Sequence, residues 1–221
     1  MSGFMRVLRL SLCVGLLVLP LLPDAARADT TDAAVLAARQ LFYQGVDGDK
    51  RAVREALQQF RQLQADQPTN PLVLAYIGAC ETLLGRDGSN VTAKRTNTEQ
   101  GVRDLDAALA ALPRLAADGA AVTASAILET KLVAANAYIH IPGFFNRRQE
   151  GERLLRELTD DPSLELMSPG FQASVLVATA TLARLNERPS ESTALLQRAR
   201  ELDPEGREGR RAQQMLAGES E

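Results

Sequence analysis

The sequence predicts an all-α fold of stacked helical hairpins, an α-solenoid of about four hairpins, and three observations carry that prediction. No stretch alternates Val, Ile or Thr in the manner of a strand, whereas apolar residues recur at three- and four-residue spacing almost everywhere after Asp32. Alanine, leucine and arginine dominate, aromatics make up only 4% of the chain and tryptophan is absent, a balance that favours helix over strand. One spacing also returns four times. Ala56, Phe60, Leu63 and Pro68 recur as Gly101, Leu105, Ala108 and Pro113, and again as Ser192, Leu196, Ala199 and Pro204; Gly151, Leu155 and Leu158 make a weaker copy, with Pro162 one residue early. In each copy a small residue lets the second helix of a hairpin approach the first, a larger one fills the gap, and the proline stops that helix before the next unit. Such a period means hairpins stacked in a row rather than a closed bundle.

The first element is a leader. Arg6 and Arg9 precede an uncharged apolar run from Leu10 to Leu22, and a short polar stretch ends Ala26-Arg27-Ala28. This is the order of a secretory signal peptide, residues 1–28, with cleavage expected after Ala28 and a periplasmic or secreted product. The apolar run falls short of the roughly 20 residues a membrane helix needs, so no span is expected in the mature chain. Cys13 lies inside the run with no small residue just before it, which argues against a lipid-bearing N-terminal cysteine.

Residues 29–221 then read as one repeat domain, with hairpins at 37–70, 71–115, 122–163 and 173–206 and a polar, Arg-rich terminal cap at 205–217. Asn70-Pro71 and Ser168-Pro169 each place a capping side chain before a proline at a first helical position. Between Gly78 and Gly101 the second hairpin is longer than the pattern, so residues 86–100 are expected to form a polar loop at a hairpin tip, where insertions cost little. Thr96-Asn97-Thr98-Glu99 has the spacing of a capping box that would start the next helix there. Arg86, Lys94, Arg95 and Arg103 gather positive charge in this stretch, which makes Lys94 and Arg95 candidates for a binding tip.

The recurring spacing, with Leu74-x-x-Ile77-Gly78 and the looser Leu176-x-x-Thr179-Ala180 on first helices, resembles the tetratricopeptide repeat (TPR). The resemblance covers most of residues 33–206, and the copy at 173–206 has the family's length without insertion. It implies a TPR-like solenoid whose first helices line a concave groove that receives a peptide or partner protein. On that alignment Asn136, His140, Thr82, Ser174, Thr181 and Arg184 face the groove. In the family a polar residue such as asparagine typically grips a partner's backbone or terminal carboxylate.

Chemistry is hard to place on this chain. The net charge is −3 and becomes more negative once an arginine-bearing leader is removed, which argues against nucleic acid as a partner. The mature chain would keep one histidine, His140, and one cysteine, Cys80, too few for a zinc site or a disulfide. No phosphate-binding glycine loop, nucleophile elbow or H-E-x-x-H motif is present. No catalytic residue, metal or cofactor is therefore expected. The most unusual stretch runs Tyr138-Ile139-His140-Ile141-Pro142-Gly143-Phe144-Phe145-Asn146-Arg147-Arg148. Pro142-Gly143 must break the helix, and Phe144, Phe145, Arg147 and Arg148 follow either as a core anchor or as an interaction tip. The expectation is an exported scaffold or adaptor that binds a protein or peptide in the cell envelope; the alternative is a small-ligand-binding accessory of envelope transport or secretion.

Overall fold

The structure, a computed structural model, describes residues 24–117 and 124–218, with side chains described over 33–114 and 124–218. The expected leader lies outside the described residues, apart from residues 24–28, which begin the first helix. Every regular element among the described residues is helical. The helices are α1 (Asp24–Val46), α2 (Lys50–Asp66), α3 (Pro71–Asp87), α4 (Val91–Ala117), α5 (Ala124–His140), α6 (Arg148–Asp160), α7 (Pro169–Leu185), α8 (Pro189–Leu202) and α9 (Arg207–Gly218). Single 3-10 segments at Gly143–Phe145 and Pro162–Leu166 flank α6.

Local chemistry starts several helices where the sequence places them. The Asn70 side chain accepts from the amides of Leu72 and Val73 at 3.0 and 3.3 Å, with Pro71 at the first helical position, where no amide is missed. Ser168 accepts from the Phe171 amide ahead of α7. Asp49 does the same for α2, and the amides of Ala52 and Arg51 hold its carboxyl below the usual carboxylate range.

Consecutive helices pair as hairpins: α1 with α2, α3 with α4, α5 with α6, α7 with α8. The hairpins stack so that α1, α3, α5, α7 and α9 contact one another in sequence and form one layer, with the even-numbered helices behind it. The repeated positions explain this packing. Ala56, Phe60, Leu63, Gly101, Leu105, Ala108, Gly151, Leu155, Leu158, Ser192, Leu196 and Ala199 are all buried. At the α3–α4 crossing, a Cβ added to Gly101 would stand 2.5 Å from the Gly78 carbonyl oxygen, and one added to Gly78 would stand 2.7 Å from that of Gly101. Only paired glycines allow so close a backbone approach. Phe60 stacks on Tyr76 with ring centroids 4.7 Å apart, and Phe42 meets the same tyrosine edge-on at 5.1 Å, tying α1, α2 and α3 together.

One core runs from α1 through α7, and a smaller one joins α7, α8 and α9 through Ala173, Val177, Leu196 and Ala212. The second core makes α9 a cap: Met215 and Leu216 pack onto it from the end of the chain.

Two local expectations are corrected. Residues 86–100 do not form a polar loop, because α3 continues to Asp87 and α4 begins at Val91, so the extra length extends both helices and leaves only a short turn. The cap is Asn90, whose side chain accepts from the Ala93 amide at 2.8 Å, and Thr96 to Glu99 lie inside α4. Helix-favourable pairs hold the polar stretch together: Arg95 bonds Glu99 at 2.7 Å and Gln100 bonds Asp104 at 2.9 Å, one turn apart in each case. Likewise Pro113 does not end α4, which runs on to Ala117. A proline there forfeits one bond, to the Leu109 carbonyl, and so close to the helix end little ladder remains to disrupt.

Candidate functional site

The odd-numbered layer borders a hollow with a volume of about 1390 Å³. Helix α1 contributes Phe42 and Tyr43, α3 contributes Leu83, α5 contributes Leu132 and Val133, and α7 contributes Phe171 and Val177, so the floor is largely apolar. The unforeseen first turns of α4 form one lip, carrying Val91, Lys94 and Arg95. The start of α9 also lines the hollow, with Arg207 and Arg211. A wall at one end comes from the Pro142–Phe145 turn.

Most of the residues singled out from the sequence meet here. Thr82, Asn136, His140, Ser174 and Thr181 line the cavity, as do Lys94, Arg95, Phe144 and Phe145. Thr82, Ser174 and Thr181 spend their hydroxyls on backbone carbonyls one turn back, at 2.8 to 2.9 Å, so they present mainly their remaining acceptor capacity. Phe144 is 71% exposed at the mouth while Phe145 packs against the core, with the two ring centroids 4.5 Å apart. The turn is thus both anchor and exposed tip.

Three candidates stand apart. Arg184 and Arg148 are exposed and do not line the cavity. Arg147 is committed elsewhere: it bonds Asp106 Oδ2 at 2.5 Å, Tyr138 donates to Asp106 Oδ1 at 2.6 Å, and the guanidinium lies 5.9 Å from the Tyr138 ring centre. That triad braces the α5–α6 turn against α4. Burial, then the bond to Asp106, pushes the Tyr138 hydroxyl far above its ordinary pKa, so it stays a neutral donor.

His140 stands at the C-terminal end of α5, on the cavity wall. Its Nδ1 is 2.7 Å from the Asn136 carbonyl oxygen; a carbonyl only accepts, so Nδ1 carries the proton and Nε2 is the ring's acceptor. Solvent reaches the ring, yet the concave wall crowds it, and that desolvation holds its pKa below the ordinary histidine value. The Asn136 carbonyl pulls the other way, while Arg211, Arg184 and Arg86 deepen the depression. The imidazole is thus mainly neutral at pH 7, with guanidiniums from three helices around it.

No sequence pattern points to the polar cluster at the α1 end. Arg39 pairs with Glu129 at 3.0 Å, Tyr76 donates to the same carboxylate at 2.5 Å, and burial pushes the tyrosine's pKa well up. The Arg39 Nε is buried without a hydrogen-bond partner among the described residues. Nor was the α1–α9 junction legible. Arg207 Nη2 bonds Asp47 at 2.8 Å across 160 residues of sequence, its guanidinium lies 4.4 Å above the Tyr43 ring, and it also pairs with Glu208. Arg86 reaches the carbonyls of Gly45 and Val46 at 2.9 and 3.3 Å and fixes the same end of α1. These side chains close the hollow where the layer begins and ends.

No known family model, curated protein or solved structure matches this chain. What the cavity can do must be read from its own residues. Among the described residues no group of His, Cys, Asp and Glu is arranged to hold a metal ion, and no helix is long and apolar enough to cross a membrane. Cys80 is fully buried and burial pushes its thiol pKa far up, which leaves it a small apolar filler.

Proposed function

We propose that this is an exported helical-repeat scaffold of TPR-like type that binds a segment of a partner protein in its concave cavity, without chemistry of its own. The observation that carries this reading is the size and lining of the hollow. About 1390 Å³ exceeds the roughly 300–1,000 Å³ of ordinary small-molecule pockets. An α-helix about 10–12 Å across would fill that volume over about 12–18 Å, or roughly 8–12 residues. The apolar floor suits one face of such a helix, and the lining carries polar groups that would flank it. His140 has no carboxylate orienting it among its charged neighbours, all of which are guanidiniums, so the arrangement supports binding rather than proton transfer. The leader at residues 1–28 supports a periplasmic or secreted location.

A second reading has one observation in its favour. The Arg207–Asp47 junction half-encloses the hollow beside His140 and several arginines, which suits a small ligand of an envelope transport system. A photo-crosslinking amino acid at position 137, in the floor, compared with one at position 54 on the outside of α2, separates the two in the native cell. Protein-sized adducts from position 137 alone, lost when Asn136 and His140 are both changed to alanine, support the scaffold. Adducts of small-molecule mass favour the second reading, and no adduct from position 137 rejects both.

A further inference from the structure

We infer that the occupant of the cavity is an amphipathic helical segment with an apolar face and acidic flanks, an inference that rests on the groove reading above. Charge is the reason. The chain as a whole is acidic, with a net charge of −3, yet the cavity lining reverses the sign: Arg39, Arg86, Lys94, Arg95, Arg207 and Arg211 face it against only Glu129, Asp203 and Glu208. Four of these cations are already paired, Arg39 with Glu129, Arg86 with Asp87, Arg95 with Glu99 and Arg207 with Asp47 and Glu208, which leaves Lys94 and Arg211 as the cations of the lining with most capacity for a partner.

Lys94 and Arg95 are exposed on the α4 lip, and Lys94 has no ion-pair partner among the described residues. On α9, Arg211 comes no closer than 4.0 Å to Glu208 and so retains most of its capacity to pair. Lys94 and Arg211 both line the hollow together with the apolar floor. A helix laid with its apolar residues on that floor brings its flanking positions to lining cations such as Lys94 and Arg211, where carboxylates meet cations and amines meet repulsion. Beside Arg211 the imidazole of His140 offers its second nitrogen, so a carboxylate seated there draws a proton onto the ring and the site tightens as pH falls. The charges facing that imidazole are Arg86 from α3, Arg184 from α7 and Arg211 from α9, with the Asn136 carbonyl on its own helix.

The test is selection from an unbiased library of peptides about 12 residues long against the mature protein. The expected winners carry apolar residues at i, i+3, i+4 and i+7 with Glu or Asp beside them, and bind about tenfold more weakly to a Lys94→Glu/Arg95→Glu variant. Both substitutions lie on an exposed helix face, and an unchanged circular dichroism spectrum confirms the fold. Affinity of the selected peptides should also rise between pH 7.5 and 5.5, and lose that rise in His140→Gln. Winners that are apolar but neutral or basic, or that bind the charge-reversed variant equally well, overturn the acidic occupant and leave the groove reading standing. Absence of any peptide displaced by bulky substitution of Ala137 in the floor overturns both.

Discussion

Two junctions in this molecule join helices in opposite ways. Where α3 crosses α4, backbone meets backbone through Gly78 and Gly101, and nothing larger than hydrogen fits between. Where α1 meets α9, the join is one guanidinium, Arg207, against the Asp47 carboxylate and the Tyr43 ring, with Asp47 61% exposed. The first junction excludes water and adaptation alike, so it sets the spacing of the solenoid. The second leaves Asp47 largely solvated, so the Arg207–Asp47 bond can be made and broken at little cost while the hairpins stay intact. A weak contact beside the hollow fits the proposed binding of a large occupant.

That contrast predicts a graded set of effects. The largest is at the glycine pair: Gly101→Leu should cost about 3 kcal/mol or more, because the added side chain meets the α3 backbone, which cannot give way. A thermal melt unchanged from the parent would mean that α3 and α4 are not so closely apposed. Next comes the triad behind the cavity wall, which lies between the extremes in burial. Tyr138→Phe leaves Asp106 with Arg147 alone and should lower stability by about 1–2 kcal/mol in urea titrations, without altering peptide binding. A loss of binding without a loss of stability would move Tyr138 from brace to binding site.

A smaller effect is tied to pH. Because the folded protein holds His140 below the ordinary value near 6.5, the unfolded chain takes up the proton first as pH falls. Stability from this residue is therefore intact above about pH 6.5 and declines as pH drops through the folded pKa. His140→Gln should flatten that part of the urea-midpoint profile between pH 7.5 and 5.5; identical profiles would show that the ring is not desolvated. The smallest thermodynamic effect belongs to the weak junction. Arg207→Ala should change stability by no more than about 1 kcal/mol, yet spin labels near the end of α1 and the start of α9 should report a broader distance distribution. The doubly swapped variant, Asp47→Arg with Arg207→Asp, should narrow it again. A distribution indifferent to both changes would show that other contacts hold the ends together.

The fold was legible because the buried positions of the hairpins repeat: a small residue, a larger one in most copies, then a small or aliphatic one at fixed offsets are a direct record of where one helix presses on another. Asn70-Pro71 and Ser168-Pro169 were legible for a similar reason, since a cap satisfies its own neighbours. The stretch at 86–100 was misread because its polarity resembled a loop, while what decides its structure is a cap at Asn90 and bonds one turn apart. Pro113 was misread because a proline's cost depends on how much helix lies beyond it. In the cavity, register placed Thr82, Asn136, His140, Ser174 and Thr181 on the lining but misplaced Arg184, which is exposed and outside it. Arg39 with Glu129, and Arg207 with Asp47, could not, because no local pattern links side chains separated by 90 or 160 residues.

The weak junction also bears on how copies of the chain behave toward one another. Asp47 and Arg207 find each other within one molecule because the intervening helices tether them, which amounts to an effective concentration on the order of millimolar. In a variant whose ends gape, or at concentrations that rival the tether, the same two surfaces can meet on neighbouring copies, head to tail. Such a contact has no rotational symmetry to stop it growing, so crowding would turn a clasp into a link of an open chain.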